Sequence, residues 1–100
     1  MALPDPKSHR ISLEEAVAQA KRYRENMTKG GLYLRKDVDD LLAQPGCAAL
    51  RFYYGRTPEG RDTVILVGSD EKGSDMTNGV LLEFHFDCPP FCNDASPLNS

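Results

Sequence analysis

The chain has 100 residues, 27% charged, 40% hydrophobic and 8% aromatic, and its 15 acidic and 12 basic side chains leave a net charge of -3. A chain of this length buries only about 60–70% of its unfolded surface, so it supports one thin core and one domain, residues 1–100. The acidic surplus excludes a general nucleic-acid binder, which needs excess Lys and Arg to displace counterions. No apolar run approaches the roughly 20 residues that cross a bilayer.

Residues 1–10 carry Pro4, Pro6, Lys7, His9 and Arg10 and little apolar matter, and read as a loose leader. No apolar stretch follows these charges, so a signal peptide is not expected. A helix is predicted over 12–29. Ser12 and Glu15 have capping-box spacing, and Leu13, Ala16, Val17, Ala20, Tyr23 and Met27 form one apolar stripe. Gly30-Gly31 supplies the stop, and Leu32–Leu34 reads as an apolar link. A second helix is predicted over 35–44, with Val38, Leu41 and Leu42 inward and Pro45-Gly46 ending it.

From Cys47 the periodicity changes to two. Ala48, Leu50, Phe52 and Tyr54 make the more apolar row of a first strand, and Arg51 and Tyr53 belong to the other. Gly55–Gly60 has the chemistry of a hairpin loop, and Thr63–Gly68 is the central strand. Residues 79–87 alternate Val80, Leu82, Phe84 and Phe86 against Leu81, Glu83, His85 and Asp87, which predicts a third strand. The three prolines of 88–100 keep this segment out of the sheet as an irregular tail. The expected fold is α+β: two N-terminal helices packed on a three-stranded antiparallel meander, in the order α-α-β-β-β.

Three cysteines, an odd number, suit a reduced cytoplasmic compartment. His85, Cys88 and Cys92, with Cys47, are the right ligand types for tetrahedral zinc. The Cys-Pro-Pro-Phe-Cys spacing is a poor match, and a meander starts its first strand at the end opposite to where its third strand finishes. Seven or eight residues at about 3.3 Å each put Cys47 roughly 25 Å from Cys88 in that arrangement. No metal or other cofactor is therefore assigned, and Cys47 reads as a small apolar residue. Cys88 and Cys92 remain either a redox or disulfide pair or two thiols in a reduced protein. A His85–Cys88 dyad is disfavoured, because the two point to different faces of a strand.

Glu83, His85 and Asp87 share a strand face and have acid–base types, but an ordinary solvent-facing row is expected there. Asp70–Asp75 lacks the acidic ladder of a calcium loop and reads as a turn. No phosphate-binding loop and no hydrolase or metalloprotease motif occurs, so no enzyme activity is expected. Charge is unevenly divided: residues 1–36 hold eight basic and four acidic groups, net +4, and residues 37–100 hold four and eleven, net -7. That contrast suits either a partner-facing dipole or attraction within the monomer. Tyr53, with Tyr54-Gly55 beside the hairpin, is the exposed-aromatic candidate, and with Leu81 and Ile65 or its neighbour it makes the candidate interaction surface on the helix-free sheet face. The first strand is the pairing edge favoured for a homodimer, with Arg51 as its charged residue.

The runs Leu41–Cys47, Phe52–Gly55, Leu66–Gly68, Cys88-Pro-Pro-Phe-Cys92 and Pro97–Asn99 resemble a group of small uncharacterised bacterial proteins with a Cys-Pro-Pro-aromatic-Cys tail. The resemblance implies a free-standing cytoplasmic protein ending near Asn99, and brings no activity, ligand or catalytic residue with it. The function expected is a non-enzymatic cytoplasmic interaction or accessory module that binds a protein partner or itself, without nucleic acid or membrane. The alternative is a metal- or thiol-dependent protein using Cys88, Cys92 and His85. A small-ligand binder ranks last, because so short a chain seldom spares roughly 300 Å³ for a pocket.

Overall fold

A computed structural model of the chain describes residues 3, 8–23, 29–83 and 85–99. In chain order the elements are helix α1 (Leu13–Arg22), strand β1 (Gly30–Leu32), helix α2 (Arg35–Leu42), strands β2 (Ala49–Arg56), β3 (Asp62–Ser69), β4 (Leu81–Leu82) and β5 (Phe86–Cys88), and a 3-10 turn at Pro97–Asn99. The fold is α+β, with a three-stranded antiparallel sheet in the order β2-β3-β4 and a two-stranded antiparallel sheet of β1 and β5. Two compact units result, one of Tyr33–His85 with the N-terminal residues up to Asp5, the other of Pro6–Leu32 with Phe86–Ser100. The helix expected over 12–29 ends earlier, at Arg22 with Tyr23 as its C-cap, and Lys29 is not helical. Expectations that fall on residues 24–28, Met27 among them, on Phe84 and on most of the leader lie outside the described residues.

In the first unit, α2 starts without a side-chain cap and ends at Ala43, where Pro45 and the left-handed Gly46 (φ 86°) turn the chain. Strands β2 and β3 pair along all eight residues, from Ala49↔Ser69 to Arg56↔Asp62. Their loop is closed by Thr57, whose N–H donates to the Arg61 carbonyl at 2.8 Å. Among the described residues, Leu41, Leu66 and Val67 are the buried apolar ones. Cross-strand partners in a ladder share a face. One face carries Arg51 and Tyr53 of β2, Thr63, Ile65 and Val67 of β3, and Leu81 of β4; the other carries Leu50, Phe52 and Tyr54, then Val64, Leu66 and Gly68, then Leu82. Helix α2 contacts β3 and β4. Its end lies against the second face, because a Cβ on Gly68 would come within 3.2 Å of the Gln44 amide nitrogen.

In the second unit, the Ser12 hydroxyl caps α1 by accepting the Glu15 N–H at 3.0 Å. The Glu15 carboxylate faces down the helix, accepting from Gln19 and lying 3.8 Å from Arg22. No residue of α1 is buried, and Leu13 at its start is 61% exposed. The helix contacts the 3-10 turn, while β1 pairs with β5 from Gly30↔Cys88 to Leu32↔Phe86. Lys29 extends this edge by donating its N–H to the Cys88 carbonyl at 2.8 Å.

Two expectations about the strands change. Gly30-Gly31, expected as a helix stop, form a strand with Leu32, and the single strand expected over 79–87 is two short strands in different sheets. The physical reason lies in the partners available to β3 on the side away from β2. The Gly68 carbonyl accepts the Met76 N–H at 2.9 Å, and the Val64 carbonyl accepts the Tyr33 hydroxyl. Val80, which an intact third strand would offer to β3, donates instead to the Gln44 side-chain oxygen at 2.8 Å. Strand β4 is left the stretch around Leu66 and Val67 and no more.

Gln44 thus ties Val80 to the end of α2, since its amide nitrogen also donates to the Leu41 carbonyl at 2.7 Å. Replacing Gln44 by Ala strips the part-buried Val80 N–H of its acceptor and is expected to lower stability by about 1–3 kcal/mol. A Cβ on Gly79 would collide with the same Gln44 oxygen, so Gly79→Ala breaks the same bond. Urea unfolding of both single variants and the double variant checks this, with the double close to the worse single rather than to their sum.

Candidate functional site

Strand β2 is an edge: among the described residues its ladder partner is β3 alone. In an antiparallel ladder alternate pairs exchange hydrogen bonds and the pairs between them turn their groups outward. The bond from Thr57 N–H to the Arg61 carbonyl places 51, 53 and 55 among the pairs that bond to β3. The engagement of the Val64 and Gly68 carbonyls on the far side of β3 agrees with this phase. The N–H and C=O groups of Leu50, Phe52 and Tyr54 therefore point out of the sheet edge. Their side chains are exposed as well, at 45%, 54% and 84%; among the described residues α2 packs chiefly on β3 and β4. The Phe52 and Tyr54 rings meet edge to face with centroids 5.5 Å apart.

The three residues of the expected interaction surface are all exposed, but they do not form one patch. Tyr53 and Leu81 share a face, spanned by Ile65 and Val67, and are 48% and 53% exposed. Tyr54 lies on the opposite face beside Phe52. On the Tyr53 face the turn after β3 folds back over the sheet. The Asp70 carboxylate accepts the Lys72 and Ser74 N–H groups at 2.9 Å, and an isolated bridge pairs Ser69 with Asp75. This turn is the one expected in place of a calcium loop. It aims Asp75 at β2, where one carboxylate oxygen accepts from Arg51 and the other from the Tyr53 hydroxyl, each at 2.5 Å. Arg51 also donates to the Gly73 carbonyl at 3.0 Å. The Tyr53 hydrogen bond, helped by Arg51, holds the Asp75 carboxyl below its usual range. The bond to Asp75, with some burial, pushes the Tyr53 hydroxyl above its ordinary value.

The row expected to face solvent does not. The His85 and Glu83 side chains are 7% and 25% exposed. The Thr63 hydroxyl donates to the Glu83 carboxylate at 2.5 Å and lies 3.4 Å from His85 Nδ1. The Tyr33 ring stands 5.4 Å from the imidazole, and burial, then the Glu83 charge, raises the Tyr33 hydroxyl. Asp87 belongs to β5, opposite Gly31, so it does not continue that row. The cause is again the early end of β4, after which Tyr33 rather than strand occupies the edge of β3.

Cys88 and Cys92 are joined in a disulfide with Cα atoms 4.8 Å apart, so the alternative of two tail thiols does not describe this structure. The Phe86 and Phe91 rings pack at 5.2 Å beside it. Bonded sulfurs are not thiolate ligands, which removes Cys88 and Cys92 from the zinc set as long as the bond stands. Cys47 is a free, half-buried thiol 3.4 Å from the Ala49 carbonyl. Among the described residues no three of His, Cys, Asp and Glu are placed to hold a metal ion, and no helix is long and apolar enough to cross a membrane. No protein family, curated protein or solved structure matches the chain.

Asp75, Thr63, Tyr33 and Phe52 were not among the site residues expected from sequence. The signal for Asp75 was present, an acid just past a turn and opposite Arg51, but it becomes readable only once the β2–β3 register is known. The Asp75 network gives a pH signature. A lowered carboxyl contributes stability above the ordinary carboxylate range and loses it as pH falls through that range to the folded value. A raised Tyr53 contributes below the ordinary tyrosine value and loses its contribution as pH rises through the folded one. Urea midpoints measured across pH should fall more steeply on the acid side for the parent than for Asp75→Asn, and Tyr53→Phe should flatten the alkaline side.

Proposed function

We propose that the chain is a non-enzymatic interaction module that self-associates as a homodimer through the free edge of β2. One observation carries the reading: a regular eight-residue edge strand exposes Leu50, Phe52 and Tyr54 together with their outward backbone groups. Such an edge is either protected or paired. Proline is missing from β2, and its two charges are engaged, Arg51 with Asp75 and Arg56 with Asp62 at 3.2 Å. Tyr53 and Leu81 extend the surface onto the other face. Light scattering after size exclusion at micromolar protein should give twice the mass of one chain. A clean monomer overturns the dimer. Phe52→Asp, at an exposed position, should yield a folded monomer with unchanged circular dichroism.

The second reading, a thiol-dependent protein, is favoured by the Cys88–Cys92 pair, while its metal half lacks the free thiolates it needs. Cytoplasmic location and kinship with the small bacterial proteins of similar tail belong to our reading, supported by the odd cysteine count and the likeness of the motifs. Alkylation of acid-quenched cells followed by mass spectrometry tests location and thiol chemistry together. A cytoplasmic protein whose pair cycles should carry label on Cys88 and Cys92 in part of the population, with Cys47 labelled throughout. Complete protection of the pair argues for an oxidising compartment and a structural bond.

A further inference from the structure

We infer that two copies join β2 to β2 antiparallel about a two-fold axis through Phe52, forming one six-stranded sheet; this rests on the self-association proposed above and specifies its geometry. The outward hydrogen-bonding groups belong to the even-numbered residues of β2, so only even residues can bond across the edge. Two-fold symmetry then makes one residue its own partner, and the candidates near the middle of Ala49–Arg56 are 51, 52 and 53.

Side-chain chemistry selects among them. A centre at 51 stacks the Arg51 guanidinium on its own copy, and like charges directly opposite are unfavourable. A centre at 53 sets Leu50 against Arg56 of the second copy. With the centre at 52, Phe52 meets Phe52 and Leu50 meets Tyr54 in both directions, so every exposed apolar side chain on that face gains an apolar neighbour. On the other face Arg51 comes opposite Tyr53 of the second copy, whose hydroxyl already holds the Asp75 carboxylate. Each guanidinium is thereby brought beside two carboxylates instead of one. The acidic surplus of residues 37–100 does not oppose this, because β2 itself carries Arg51 and Arg56 and no acid. Helix α2, placed on β3 and β4, leaves the edge open.

Cysteine scanning in a Cys47→Ser background tests the register. Opposed residues of a bonded antiparallel pair have Cα atoms about 5.5 Å apart, within disulfide reach. Under mild oxidation Phe52→Cys should form a cross-linked dimer, while Leu50→Cys and Tyr54→Cys alone should not, since each would lie roughly 14 Å from its own copy. A mixture of those two single variants should cross-link, and this arm keeps Phe52 in place. A dimer by light scattering that links singly at 50, 51, 53 or 54 but not at 52 overturns the register and leaves the self-association reading standing. A monomeric parent chain under the same conditions overturns both.

Discussion

Strand β3 offers hydrogen bonds in two directions, and the difference between what takes each direction governs the rest of the first unit. Toward β2 every residue from Asp62 to Ser69 has a strand partner. Toward the other side the acceptors are filled by unlike donors: the Met76 N–H on Gly68, β4 around Leu66, and the Tyr33 hydroxyl on Val64. Backbone groups at a half-buried edge have to be satisfied by something, and here a turn, a two-residue strand and a phenol divide the work. One border of the sheet is irregular and stopped by side chains. The other, β2, runs eight residues and, among the described residues, pairs on its inner side alone.

The distribution of burial follows from the same asymmetry. Helix α2 is eight residues long and reaches β3 and β4, so Leu41 and, on the face it covers, Leu66 go to low exposure while Leu50, Phe52 and Tyr54 do not; Val67 is buried on the opposite face. Burying a side chain of this size contributes about 1.5–3 kcal/mol, and on β2 the single chain gains only part of it. The Tyr53 face differs, because the turn at Asp70–Asp75 lays a carboxylate across Arg51 and Tyr53 and fixes both side chains. A fixed side chain has less rotamer entropy to lose on association than a free one. The two faces of β2 are therefore prepared in different ways, one by leaving apolar area open and the other by ordering polar groups beforehand.

Much of this was readable in the residues where the signal is local. Ser12 caps α1 as its spacing indicates, the helix over Arg35–Leu42 stops at Pro45-Gly46, and the loop between β2 and β3 lies where Pro58 and Gly60 put it. What failed to be readable depends on partners distant in sequence. The alternation over 79–87 is correct for an extended chain, yet whether it pairs with β3 is decided by Gln44, Tyr33 and Met76, none of which alters the local pattern. The same holds for Glu83 and His85: period two says they share a side, and only the ring of Tyr33 says the side is covered. Gly30-Gly31 reads locally as a helix stop, but the helix ends at Arg22 and the pair's use as a strand needs Phe86–Cys88 opposite.

Under the self-association proposed above, an exposed regular edge has two ways to pair. Pairing that joins one edge to a different edge builds open arrays, whereas pairing an edge with its own copy consumes both and closes. For this sheet the first route requires the β4 border as acceptor, and that border already has its Val64 and Gly68 carbonyls occupied and offers a strand of two residues. If the chain pairs as proposed, the features that cut short the third strand would also confine that pairing to β2. A variant that freed the border, by removing the Tyr33 hydroxyl or the Gln44 hold on Val80, would lengthen the second edge and open the path to heterologous growth. On this view the irregularity of β4 and the regularity of β2 are two halves of one arrangement, in which a small sheet can pair once and then stop.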